Sequence, residues 1–155
     1  MRLLRRNGAF AGLCLVLVMT ACGDTTADED AVELYSAVIR RVAAGDSSEL
    51  PEIVFVETLP GTEITLAEQT SIVNEFDDAT DVRFIDDDDE AIDRAQPDAP
   101  VRHSGVLVRL GASDRSDGGM EVEAIRYVDR GNEETLCVQL SPTGDDWEVV
   151  SAEAC

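Results

Sequence analysis

The stretch SGVLVRLGASDRSDGGMEVEAIRYV, residues 104–128, determines the predicted fold class. Its first part, Gly105 to Leu110, is apolar, and its last part, residues 120–128, begins by alternating apolar side chains with glutamates. Alternation with a period of two is typical of an antiparallel strand that buries one face. The polar SDRSDGG between these parts, residues 113–119, predicts a turn. We therefore expect a strand, a turn and a half-buried antiparallel strand.

Four other segments also predict strands. Residues 53–56, IVFV, are apolar on both faces, which favours a strand that is buried on both sides. Residues 82–86 place Val, Phe and Asp at alternate positions. Residues 136–140 and 147–151 flank SPTGDD, which predicts a hairpin, and DRGN at 129–132 predicts another turn.

Two helices are predicted from apolar residues at three- and four-residue spacings. The first runs from Ala31 to Ala44, follows three acidic residues and stops at Gly45, as the helix dipole and a glycine stop favour. The second begins at Thr65, which has capping-box spacing with Glu68. The residues expected to bury its inner face are Leu66, Ile72, Val73 and Phe76.

The order of these elements is helix, strand, helix and then five strands. This order predicts an α+β fold, with two helices packed on a mostly antiparallel sheet of about five or six strands. The chain has 155 residues, enough for one ordinary domain, which we place at residues 31–155.

The chain is strongly acidic. It has 33 Asp and Glu residues against 12 Arg and no Lys, a net charge of −21. Every acid follows Cys22 and three arginines precede it, so the part from Cys22 onward has nine cations and a net charge of −24. This charge opposes binding to nucleic acid and to anionic lipid head groups. It favours a cationic partner.

The first 22 residues, MRLLRRNGAFAGLCLVLVMTAC, have the parts of a secretory signal peptide. Three arginines begin the segment, an apolar region runs from Gly8 to Met19, and the small Thr20-Ala21 suit a cleavage site. The alternative is a membrane-spanning helix, which needs about 20 apolar residues. The polar chain from Asp24 onward makes this run too short.

Met19-Thr20-Ala21-Cys22 resembles the lipobox of bacterial lipoproteins, with Met where Leu is usual. The resemblance implies that a diacylglycerol is attached to Cys22 and that a dedicated signal peptidase removes residues 1–21. Residues 22–30 would then be a lipidated acidic tether. Two acyl chains would hold the protein stably on the extracytoplasmic face of the cell membrane. The alternative role of Cys22 is that of a disulfide partner.

The remaining chain resembles small secreted domains of high-GC Gram-positive bacteria, which are themselves uncharacterised. The similar segments are VRFID at 82–86, GVLVRLG at 105–111 and WEV at 147–149. The resemblance implies a fold and an exported location but no activity. The alternative architecture is a cone-shaped domain of the nuclear-transport-factor-like kind, which also closes with a W-x-V strand.

Cys137 and Cys155 are the two cysteines that follow Cys22. In an exported chain such a pair predicts a disulfide, worth about 3 kcal/mol for a loop of this length. If Leu140 faces Trp147 in the hairpin, Cys137 faces Val150, so we expect the C-terminal tail to fold back. Free thiols and an intermolecular bond are the alternatives. Two cysteines and one distant His do not make a zinc site.

The acidic run Asp86–Glu90 lies in a predicted long loop, and its carboxylates would attract a cation. It lacks the Gly and Glu spacing of an EF-hand, so a solvated loop is favoured over a calcium site. His103 is the only His, and Ser104 beside it would point to the opposite face if both lay in a strand.

The sequence predicts no catalytic residue, metal ligand or cofactor. The function it favours is a membrane-anchored lipoprotein with a non-enzymatic binding or adaptor role, attached to the membrane through Cys22. A carboxylate-based hydrolase and a calcium-binding surface module are the alternatives.

Overall fold

The computed structural model describes residues 28–155 except residues 48 and 145. Its helices are α1 (Glu29–Ala44) and α2 (Leu66–Asn74), with two short 3₁₀ helices at Asp88–Glu90 and Arg102–Ser104. Its strands are β1 (Ile53–Thr58), β2 (Asp81–Phe84), β3 (Val106–Ser116), β4 (Gly119–Asp129), β5 (Asn132–Thr143) and β6 (Asp146–Ala154).

The six strands form one sheet in the order β2-β1-β3-β4-β5-β6. β1 pairs in parallel with β2 and β3, whereas β3 to β6 are antiparallel neighbours. A parallel pair needs a long crossover, and α2 supplies the one between β1 and β2. The structure therefore confirms the predicted α+β fold, with two helices on a mostly antiparallel sheet.

Helix α1 packs its apolar stripe on one face of this sheet, where Val38, Ile39 and Val42 are fully buried. It begins at Glu29, two residues earlier than predicted, because the Asp28 side chain accepts a hydrogen bond from the Asp30 N–H and caps the helix. The first turn of α1 thus includes two residues of the predicted tether.

Helix α2 has the predicted cap but not the predicted buried face. The Thr65 hydroxyl accepts from the Glu68 N–H, and the Glu68 carboxylate accepts from the Thr65 N–H. Ile72 is fully buried, but Leu66 is 78% exposed and Val73 is 37% exposed. The prediction was wrong at these two positions because Leu66 is the first residue of α2 and Val73 is next to its last, Asn74, and this nine-residue helix buries only Ile72.

The strand β1 is buried on both faces, as predicted. Val54 and Val56 join the large core beneath the helices, whereas Phe55 joins a smaller core on the opposite face. Leu107 and Tyr127 are further buried residues of the sheet in that smaller core, and residues 91–101 cover it.

The segment between β2 and β3 is therefore more ordered than the predicted loop. Ile92 and Val101 pair as an isolated antiparallel bridge, and the Tyr127 hydroxyl donates to the Ala99 carbonyl at 2.7 Å. The apolar side chains of this segment pack on Phe55, Leu107 and Tyr127, which belong to β1, β3 and β4.

Candidate binding surfaces

Arg109 on β3 organises the acidic residues on the side of the sheet away from the helices. Its Nε lies 2.7 Å from Oε2 of Glu57, and its Nη2 lies 2.9 Å from Oδ2 of Asp88. Its Nη1 lies 3.5 Å from Oε2 of Glu133, and its guanidinium lies over the Tyr127 ring at 5.8 Å. The Arg109 side chain is 15% exposed, so these contacts are partly shielded from water.

The acidic run Asp86–Glu90 is held by two arginines. Besides the Arg109 contact, Asp88 and its neighbour Asp89 both pair with Arg94. The two carboxylates raise the pKa of Arg94 above its ordinary value, first through the hydrogen bond to Asp89 and then through the one to Asp88. The Asp87 carboxylate accepts from the Asp89 N–H and caps the short 3₁₀ helix.

This run also has the spacing of a possible cation site. One carboxylate oxygen from each of Asp87, Asp88 and Asp89 lies within 4.8 Å of the others. However, the contacts with Arg94 and Arg109 already neutralise Asp88 and Asp89. The run is thus arranged as an ion-paired surface segment, and a metal ion would have to compete with two guanidinium groups.

His103 and Ser104 line an open groove of about 610 Å³ at the start of β3. They lie in the second 3₁₀ helix, with φ of 57° and 56°, and both are exposed. The assumption that they lie in a strand was therefore wrong, although His103 is on the surface as predicted. Two carboxylates of this groove hold turns: Asp93 accepts from the Ala95 N–H and Asp129 from the Gly131 N–H.

Hydrogen bonds also change the acidity of Asp93. The bond from the Gln96 side-chain amide, followed by that from the Ala95 N–H, lowers the pKa of Asp93. Asp93 is therefore ionised at neutral pH, and its charge is used to hold a turn.

A second groove, of about 530 Å³, lies beside the first turn of α1. Its wall combines apolar and charged side chains, namely those of Leu34, Tyr35, Met120, Trp147, Asp28, Asp30 and Arg115. The Tyr35 hydroxyl donates to the Gly111 carbonyl at 3.5 Å, and burial raises the pKa of Tyr35. Trp147 is the only Trp of the chain, so this groove carries its own fluorescent reporter.

Cys137 and Cys155 lie at disulfide-bonding distance, with their Cα atoms 5.2 Å apart. The predicted register was wrong: Leu140 pairs with Val149, and Cys137 pairs with Glu153. A bulge between Gln139 and Leu140 shifts the register of β6, which brings the C-terminus beside Cys137 without a reversal of the chain.

The predicted lipid-attachment residue Cys22 and the predicted signal peptide, residues 1–21, lie outside the described residues. Within the part of the chain that the structure describes, no helix is long and apolar enough to cross a membrane. Comparison with protein-family models, curated proteins and solved structures finds no match. The family resemblances noted from the sequence therefore stay predictions.

Sequence reasoning missed Arg109 and the groove at Trp147. Arg109 joins residues 57, 88 and 133, which are far apart in sequence, so no local pattern could reveal this ion-pair cluster. For the groove, the alternation of apolar residues with glutamates in β4 gave a partial signal. It assigned Met120 to the buried face, but it could not show that the first turn of α1 lies beside it.

Proposed function

We propose that this chain is an exported lipoprotein, anchored through acylated Cys22, whose domain binds a partner without catalysing a reaction. The observation that carries the proposal is the sequence Met19-Thr20-Ala21-Cys22 at the end of a short apolar region that follows three arginines. A signal peptide needs this arrangement. A cysteine at the cleavage point supplies the thiol that lipidation modifies.

The cysteine pair supports export. Disulfides persist in oxidising compartments and are rare in the cytosol. Cys137 and Cys155 lie at bonding distance on neighbouring strands, 18 residues apart in sequence. We propose that they are bridged in the mature protein, where they would fix the last strand of the sheet to β5.

The state of the carboxylates supports a binding role rather than a carboxylate-based hydrolase. Every Asp and Glu residue in the described part is at least partly exposed, although Oε2 of Glu33 on α1 is buried. A catalytic acid usually needs burial in an apolar site to raise its pKa toward neutrality. The least exposed carboxylates of the Arg109 cluster, on Glu57 and Asp88, are paired with its guanidinium.

The test of the anchor is metabolic labelling of cells that express the full-length gene with an alkyne analogue of palmitate. The label is then detected on the purified protein. We expect label on the wild type and on Cys14→Ala, because Cys14 belongs to the segment that is removed. We expect no label on Cys22→Ala, which should also leave the membrane fraction. Equal labelling of wild type and Cys22→Ala would overturn the proposal.

A further inference from the structure

The sheet has one face that the described part of the chain leaves largely uncovered. Helices α1 and α2 pack on the opposite face, and residues 91–101 cover only the region around Phe55, Leu107 and Tyr127. The uncovered remainder lies on β4, β5, β6 and the end of β3. We call it the acidic face, and its charged members are Asp114, Glu121, Glu123, Glu148 and Glu153.

The pairing register places these acids on one side of the sheet. Asp114 is opposite Glu121, which is opposite Gln139 on the next strand. In the neighbouring row, Cys137 lies between Glu123 and Glu153. Directly paired residues of adjacent strands point to the same face, so both rows project their side chains away from the helices.

Cations are segregated from this face. Arg115 pairs with Met120, and Arg126 lies beside Gly45 at the end of α1, so both project to the helix side. Arg109 borders the acidic face, but its guanidinium forms ion pairs with Glu57, Asp88 and Glu133. Within the described strands β4 to β6, therefore, no arginine neutralises the acidic face.

This arrangement of like charges lowers the stability of the fold. A soluble surface does not require acids to lie directly opposite one another. Asp114 and Glu121 are like charges directly opposite one another, a destabilising pair in an antiparallel ladder. Gln139 donates to the Glu121 carboxylate at 3.3 Å, and the Ser151 hydroxyl donates to the Gln139 side chain at 3.5 Å. These contacts orient the row but add no positive charge.

We propose that the acidic face docks an extended Arg- or Lys-rich segment of a protein partner. Charge complementarity selects a cation, and it excludes nucleic acid and anionic membrane as occupants. The described acids of this face are spread over three strands and pair at most two by two, so a small cation would meet only one or two acids. Glu121 and Glu123 are two residues apart on one strand, a spacing of about 6.8 Å. Alternate residues of an extended partner segment repeat at the same distance.

This inference rests on the binding role proposed above but not on the lipid anchor. Individual exposed ion pairs are weak and screened by salt. Binding must therefore use several carboxylates at once, and its affinity must fall as ionic strength rises.

The test uses the protein as it is purified from membranes into zwitterionic nanodiscs, whether or not it is acylated, and a fluorescent peptide of alternating Arg and Ser. The variant Glu121→Gln/Glu123→Gln/Glu153→Gln removes three charges from the acidic face. The control Asp46→Asn/Glu52→Gln/Glu63→Gln removes three exposed charges elsewhere. By anisotropy at low salt we expect the first variant to weaken binding at least tenfold and the control to weaken it less than twofold.

Thermal unfolding checks that both variants fold, and we expect the first to melt no lower than the wild type because repulsion is relieved. Equal weakening by both variants would mean that net charge alone attracts the peptide, and it would overturn the inference. So would a wild type that shows no saturable binding. Neither result bears on acylation of Cys22, which the palmitate label reports separately.

Discussion

At the scale of single residues, Arg109 explains why the acidic run Asp86–Glu90 is ordered. The sequence predicted a solvated loop there because the run lacks the Gly and Glu spacing of an EF-hand. In the structure, Arg109 and Arg94 approach Asp88 from two sides, and Arg94 also reaches Asp89. The run is a surface segment with its own counter-charges, a feature that depends on contacts made across the fold.

Substitution of Arg109 by Ala should destabilise the domain more than Arg94→Ala. Arg109 is 15% exposed, and its loss leaves the partly shielded Glu57 carboxylate without its cation and Asp88 with Arg94 alone, so we expect a loss of about 1–3 kcal/mol. The Arg94 side chain is 58% exposed, so we expect its loss to cost clearly less. Urea denaturation of both variants measures the difference, and equal losses would contradict this view of Arg109.

Tyr35 should make stability depend on alkaline pH. Burial raises its pKa in the folded state, so the neutral phenol stabilises the fold below the unfolded value of about 10. This contribution is lost as pH rises through the folded-state pKa. The chain has no lysine, so no lysine ammonium group titrates in that range.

The measurement is the urea midpoint of wild type and Tyr35→Phe between neutral and strongly alkaline pH. We expect the midpoint of the wild type to fall more steeply than that of the variant. Parallel curves for the two proteins would show that the Tyr35 phenol does not titrate differently in the folded and unfolded states.

At the scale of elements, local sequence patterns predicted which segments are helices and strands. They predicted less well which side chains are buried and how the strands pair. Alternation predicted β4, and the Thr65–Glu68 spacing predicted the cap of α2. Which side chains of α2 are buried depends on where the helix ends, and the sequence beyond Asn74 carries no clear stop. The β5–β6 register depends on a bulge, and neither strand has a Gly to mark it.

Substitutions in α2 should separate its cap and its one fully buried side chain from its exposed residues. We expect Thr65→Ala to cost about 1 kcal/mol through loss of the cap. Ile72→Ala should cost about 2–4 kcal/mol because the side chain is fully buried. Leu66→Ala should be nearly neutral, since Leu66 is 78% exposed. If urea denaturation showed a large loss of stability for Leu66→Ala, the originally predicted buried face of α2, with Leu66 in it, would be correct.

The β5–β6 cysteine pair should contribute measurably to stability. Removing both thiols in Cys137→Ala/Cys155→Ala should cost about 3 kcal/mol, because the bridge restricts the unfolded chain. Guanidinium denaturation of the wild type with and without reductant gives the same comparison without mutation. Quantitative alkylation of both thiols in the protein purified without reductant would show that no bridge forms.

At the scale of the whole molecule, the two faces of the sheet differ in what they present. One face is covered by two helices over a continuous apolar core, whereas much of the other presents carboxylates to solvent. The alternation of Glu with apolar residues in β4 predicted this asymmetry for one strand. That acids of three strands share one face depends on the register, which the sequence alone did not determine.

We propose that a lipid anchor holds the acidic domain outside the cytoplasm. The intact mass of the protein extracted from membranes tests that proposal most directly. We expect a chain that begins at Cys22 and carries at least a diacylglycerol on that residue. A mass that retains residues 1–21 with Cys22 unmodified would contradict the account.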